Sequence, residues 1–137
     1  VTSTLVPAGL ENSKGVIIVL FRKDPSDPKW ADDPAMKDYL AFMKEYMPDA
    51  NPMESYNIFG IATAQTFVHV LKNCGDDLSR EHLMKQAASI KGLVLPLMLP
   101  GVTLDTSATQ FTPLHQEQIF QFDGVRWVAI SDVISAE

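Results

Sequence analysis

Cysteine occurs once in the 137 residues, at Cys74. A lone cysteine excludes an intrachain disulfide and every multi-cysteine metal site, and it leaves the redox compartment open because many exported bacterial proteins carry no disulfide. Long apolar runs are missing too: the longest covers residues 16–21, far short of the ~20 residues that a membrane-spanning helix needs. The opening Val1-Thr2-Ser3-Thr4 has neither the basic start nor the apolar stretch of a secretory signal. Any signal is therefore expected to have been removed, or the true N-terminus to lie elsewhere. Positive charge is scarce, with 11 Lys and Arg against 17 Asp and Glu and a formal net charge of -6. No broad cationic surface is available to collect phosphates, so nucleic acid is not an expected partner. The phosphate loop, Gly-x-Gly-x-x-Gly, Gly-x-Ser-x-Gly and His-Glu-x-x-His are all absent.

What is present is 46% hydrophobic and 20% charged composition, suited to one ordinary globular domain or one piece of a larger one. Residues 1–13 carry Pro and Gly without a sustained period and read as an irregular lead-in. The unbroken Val16-Ile17-Ile18-Val19-Leu20-Phe21 predicts a strand buried on both faces, central or parallel in its sheet. Two prolines in residues 22–30 then stop regular structure and make a loop or crossover.

Asp33-Pro34 starts a helix, since Asp caps free N–H groups and Pro at the first helical position loses no bond. Met36, Tyr39, Leu40, Met43, Tyr46 and Met47 recur at helical spacing, and the helix ends before Pro48. Residues 56–73 form a second helix that is apolar around much of its girth and is expected to be buried on more than one side, with Gly75 as its C-terminal cap. A third helix opens at the N-cap Ser79, with Leu78 and Leu83 as a hydrophobic staple, and closes near Gly92. Residues 93–99 are apolar but broken by Pro96, which favours an edge or extended connection, and residues 102–112 read as short extended pieces with turns. Gln116-Glu117-Gln118-Ile119-Phe120-Gln121-Phe122, Asp123-Gly124 and Val125-Arg126-Trp127-Val128-Ala129-Ile130 make a terminal β-hairpin. No internal repeat appears.

The candidate chemistry is sparse. His69, His82 and His115 form no i, i+4 metal pair, and His69 and His82 read as ordinary helical residues. His115 and Glu117 could share one strand face, as an acid/base pair or as a solvated polar patch. Asp32-Asp33 and Asp76-Asp77 lie at helix starts, where capping explains them. Cys74 reads as a small hydrophobe. Tyr56 and Phe59 at the start of the second helix are the most informative local feature. They are either core packing at i, i+3 or the wall of a cleft, and spacing alone does not choose between these.

Four segments, in order, resemble branched-chain-amino-acid-type periplasmic binding proteins. Pro7-Ala8-Gly9-Leu10-Glu11-Asn12-Ser13-Lys14-Gly15-Val16-Ile17 is similar to the point where a strand leaves one lobe of that family. Tyr56-x-x-Phe59-Gly60-x-x-x-Ala64-Gln65-Thr66-Phe67-Val68-x-Val70-Leu71-Lys72-x-Cys74-Gly75 looks like its long helix, Asp77-Leu78-Ser79-Arg80-Glu81-His82-Leu83-Met84-Lys85-Gln86-Ala87 like its next segment, and Phe122-Asp123-Gly124-Val125-Arg126-Trp127 like its terminal hairpin.

The resemblance implies an α/β fold: the C-terminal part of a two-lobed type I periplasmic-binding-protein architecture, with three helices, a hairpin and an incomplete sheet. Residues 1–20 would be a second-lobe strand segment, residues 21–116 a first-lobe helical segment after a hinge crossover near Phe21 to Asp24, and residues 117–137 the second-lobe hairpin. It implies the solute-binding component of an ABC importer for branched-chain amino acids or related small carboxylates, aromatic ones included. Such a protein is periplasmic, closes a cleft over its ligand, works with permease subunits, and needs no cofactor and no enzymatic step. Tyr56 would form the aromatic wall, with Asn57 and Phe59 beside it.

Family members are well over twice this length, and their Ser/Thr and acidic ligand-holding residues have no counterpart in this sequence, so the segment does not make a complete site alone. Two other readings remain: a ligand-sensing module of the same fold in a receptor or regulator, and a small hydrolase using His115 with Glu117 or Asp105.

Overall fold

The structure, a computed structural model, describes residues 2–135; the expected second-lobe segments also include Val1, Ala136 and Glu137, which lie outside the described residues. The lead-in is a series of short 3-10 turns, Thr2–Thr4, Val6–Ala8 and Glu11–Ser13. Strand β1, Ile17–Leu20, pairs antiparallel with β2, Gln116–Phe122, and β2 pairs antiparallel with β3, Trp127–Ser135, in the order β1-β2-β3. One sheet thus joins segments from opposite ends of the chain, and three α-helices come from between them.

The sheet corrects two expectations. β1 is an antiparallel edge strand among the described residues, not a central or parallel one. Ile17 and Val19, on one face by strand alternation, are 58% and 49% exposed. Val128, opposite Gln121 and so opposite Ile17's partner, is exposed on the same face. An apolar run reports a preference to leave water but not whether a layer exists to cover it. The hairpin forms where expected, but its loop has four residues: Phe122 and Trp127 are the closing pair. The Asp123 carboxylate accepts from the Val125 and Arg126 amides at 2.8 Å each, and Gly124 takes φ 107°, which disfavours any side chain. Two amides drawn onto one side chain open the turn beyond the two-residue form.

Helix α1, Pro34–Tyr46, starts as the sequence predicts, with the Asp33 side chain accepting from the Met36 amide at 3.0 Å. Met36, Tyr39 and Met43 are buried, whereas Tyr46 and Met47 are exposed and Tyr46 packs on Phe42 at 4.9 Å. Helix α2, Ser55–Cys74, buries Ser55, Ile58, Ala62, Val70 and Cys74. It meets two cores, Ala62, Val70 and Cys74 in one and Ile58 in the other, while Phe59, Phe67 and Val68 stay about half exposed. Gly75 closes it at φ 58°.

Helix α3, Arg80–Ala87, is capped by Ser79, whose Oγ accepts from the His82 amide at 3.3 Å. It ends five residues before Gly92 because Thr106 intercepts the chain. The Thr106 hydroxyl donates to the Ala87 carbonyl at 2.7 Å and accepts from the Ile90 amide at 3.0 Å, while the Thr106 amide donates to the Ile90 carbonyl at 2.9 Å. Leu78 is 62% exposed, so the expected staple does not enclose it.

Residues 93–99 are an extended connection, as Pro96 implied, yet they run through the centre of the molecule. Leu95, Met98 and Leu99 enter a core with Phe120, Phe122 and Trp127, and Leu97 enters a second one with Met36, Tyr39, Met43 and Ile58. Each fully buried side chain of this kind stabilises the fold by about 1.5–3 kcal/mol, so this irregular segment ties the sheet to the helices.

Candidate functional site

The crossover after β1 is pinned by its own backbone. The Phe21 carbonyl accepts from the Leu99 amide at 3.0 Å, the Lys23 amide donates to the Leu97 carbonyl at 2.9 Å, and Arg22 bridges Met98 antiparallel. Residues 21–23 are thus held in register with residues 97–99, which fixes where the intervening side chains emerge. Lys23 turns inward and pairs with Asp33 at 2.7 Å, the carboxylate that also caps α1. Hydrogen bonding from Lys23 leads the effects that hold the Asp33 carboxyl below the usual range, against a smaller opposing effect of burial. The crossover and α1 therefore share one anchored carboxylate.

The start of α2 is tied to α1 by short polar contacts. Tyr39 donates its hydroxyl to the Pro52 carbonyl at 2.6 Å, and burial pushes its phenol above the ordinary value against the pull of Asn57. The Asn57 side-chain amide donates to the Asn51 carbonyl at 2.9 Å, so this predicted site residue braces the turn into the helix. Tyr56 is 63% exposed and Phe59 49% exposed. Neither ring is enclosed by the cores of the described residues.

Phe59 meets Phe21 edge to face, with ring centroids 6.5 Å apart at 66°. The Arg22 guanidinium lies over both rings, 5.0 Å from the Phe21 centroid and 5.8 Å from that of Phe59. Burial lowers its pKa, opposed by the nearby Tyr56 phenol and Asp24. The fold thus gathers Arg22, Phe21, Tyr56 and Phe59 where the crossover passes the start of α2. Sequence reasoning missed Arg22, whose only signal was a guanidinium directly after a six-residue apolar run.

Two clefts flank α2. The larger, about 650 Å³, lies between α1 and α2 and is floored by residues 93–97; none of Tyr56, Asn57 and Phe59 lines it. The other, about 370 Å³, lies on the opposite flank with Phe21 and Phe59 in its wall. Tyr56, one helical turn before Phe59 on the same helix face, lies outside the lining of both clefts.

The other candidates fall elsewhere. The Asp105 carboxylate accepts from the Gly92 amide and the Thr103 hydroxyl at 2.9 Å each, and these bonds hold it below the usual carboxylate range. That acid is a clasp between loops, spent on structure. No hydrogen bond joins His115 to Asp105 or Glu117 among the described residues. Asp77 accepts from the Ser79 amide at 2.9 Å, and half-buried His82 lies 3.7 Å from it. Cys74 is buried. Among the described residues no cluster of three or more His, Cys, Asp or Glu could hold a metal ion, and no helix is long and apolar enough to cross a membrane.

A three-stranded antiparallel sheet whose first two strands flank a helical insertion makes this an α/β fold. The chain is similar to the crystal structure of a branched-chain amino acid ABC transporter from Thermus thermophilus with bound valine, with a TM-score of 0.75 over 96% of this chain at 17% identity. This chain spans 36% of the length of that protein. No family model and no curated protein matches the sequence.

Proposed function

We propose that this chain is part of the extracytoplasmic solute-binding component of an ABC importer, taking branched-chain amino acids or related small carboxylates, aromatic ones included. The observation that carries the reading is the fold likeness to a transporter protein with bound valine, over nearly the whole of this chain. In this reading residues 1–20 and 117–137 belong to one lobe and residues 21–116 to the other, which the pairing of β1 with β2 supports. The crossover at residues 21–24 is then one of the connections between the lobes. Tyr56 and Phe59 form the aromatic wall of the cleft, and Asn57 holds the helix start in place beside them. The opposing wall comes from the remainder of the protein, and the closed form docks on permease subunits. No enzymatic step is part of this function.

The test is calorimetric titration of the intact protein with valine, leucine, isoleucine, phenylalanine and small aromatic carboxylates, with small-angle scattering of the free and saturated forms. One-to-one binding with a smaller radius of gyration on saturation is the expected result. Failure of the whole set to bind overturns the reading. Hydrolysis of an ester or amide substrate that disappears in His115→Ala would replace it with the hydrolase reading.

A further inference from the structure

A half-buried guanidinium is normally paired, because taking the charge from water is costly unless hydrogen bonds to an anion replace its solvent. Arg22 breaks that pattern. It makes no side-chain hydrogen bond and no ion pair among the described residues, and its Nε is enclosed without a partner, so an anion would have to meet the terminal Nη groups. Two phenyl rings, Phe21 and Phe59, hold the guanidinium plane by cation–π contact, which offsets only part of the lost hydration. The neighbouring Lys23 shows what this chain does with a buried cation: it gives it a carboxylate at 2.7 Å. Arg22 sits one residue away, in a chain of net charge -6, with Asp24 and the Tyr56 phenol near enough to favour its charge but no carboxylate in contact with it.

We propose that Arg22 is the anion anchor of this site, taking the carboxylate of an aromatic or branched aliphatic acid whose apolar part lies against Phe59 and Tyr56. This rests on the solute-binding reading and adds the residue that selects acid over neutral analogue. Planar, bidentate donation suits Arg and is poorly reproduced by Lys. The backbone pins on either side, Phe21 to Leu99 and Lys23 to Leu97, keep the side chain positioned before the ligand arrives. The rings that hold the guanidinium also present apolar surface next to it, so one patch recognises both ends of an amphiphilic acid.

The carboxylate could come from a free solute or from an acidic side chain of the same polypeptide, and the experiment separates these sources. The intact protein, with Arg22→Gln and Arg22→Lys variants, is titrated with valine, phenylalanine and 3-phenylpropionate and with their carboxamides, and the ligand-free melting temperature of each variant is recorded. The proposal expects at least one acid to bind the parent about 10-fold or more tightly than its amide. It expects Arg22→Gln to erase that ratio by weakening the acid alone and Arg22→Lys to keep part of it, whatever the loss of the contacts with Phe21 and Phe59 does to ligand-free melting. An acid-to-amide ratio that survives in Arg22→Gln overturns the proposal while leaving the solute-binding reading intact. If the ratio survives and ligand-free melting also drops in that variant, the guanidinium serves the fold, through the two rings or an acidic side chain of the same polypeptide, and the anchor is overturned. Failure of every acid and amide to bind the parent overturns the solute-binding reading and the anchor with it.

Discussion

Asp33→Asn should cost about 2 kcal/mol of unfolding free energy at pH 7, and nearly all of it should come from Lys23. Asn caps a helix about as well as Asp, so the bond to the Met36 amide survives the change. What is lost is the carboxylate 2.7 Å from a Lys23 side chain that is only 8% exposed. Removing one partner of a fully buried pair costs about 3–5 kcal/mol; Asp33 keeps 20% of its side chain in solvent, which brings the expectation down to about 2 kcal/mol.

Asp33→Ala removes the cap as well and should cost about 1 kcal/mol more. Lys23→Met should cost less than either, because Met fills the stem's volume and the remaining carboxylate still caps α1 and still reaches water. The double variant Lys23→Met/Asp33→Asn should recover most of the loss, which gives a coupling free energy of about 1–2 kcal/mol. Urea unfolding of the intact protein, followed by fluorescence and circular dichroism across one coincident transition, measures all four.

The pH dependence has a fixed sign. The folded Asp33 carboxyl is held below its unfolded value, so its contribution is present above about pH 4 and disappears as pH falls through the folded value. The gap between parent and Asp33→Asn should therefore be constant from pH 7 to about 5 and close in stronger acid. A gap under about 0.5 kcal/mol at pH 7, or a Lys23→Met loss exceeding that of Asp33→Asn, refutes the reasoning.

Other positions make independent predictions. Phe122 is fully buried against Trp127 with ring centroids 5.1 Å apart, so Phe122→Ala should cost about 3–5 kcal/mol in the same urea assay, and a loss under about 1 would mean the site collapses around the cavity. Tyr56→Ala should weaken solute binding by at least ~1 kcal/mol in calorimetry while leaving the melting temperature unchanged, since the ring is exposed; unchanged affinity removes Tyr56 from the cleft wall. Asp105→Ala severs the bonds from Gly92 and Thr103 and should destabilise by about 1 kcal/mol near neutral pH, with the difference vanishing in acid because its folded carboxyl is also held low; the same loss at pH 2 would point to packing.

Local chemistry was legible wherever one or two neighbouring residues decide the outcome. Asp33-Pro34 and Ser79 cap the helices they were expected to start, Pro96 keeps residues 93–99 out of regular strand, and the terminal hairpin forms around Asp123-Gly124. The fold class was legible only through four ordered resemblances. The run at residues 16–21 looked doubly buried, because apolar composition states what a segment would gain by burial and nothing about which layers are at hand. The C-terminus of α3 depends on Thr106, distant in sequence, so no periodicity within the helix could reveal it.

The sequence by itself determined the helix starts, the hairpin, the want of any broad cationic surface in these residues, and Tyr56 and Phe59 as the aromatic pair to watch. Only the tertiary structure decided that Arg22 meets them. Ser55, the first residue of α2, lies 33 positions after Arg22, and what brings the two segments together is the pairing of residues 21–23 with residues 97–99 through the buried core. A charge left without a partner is a property of three-dimensional neighbours, and a linear pattern has no term for it.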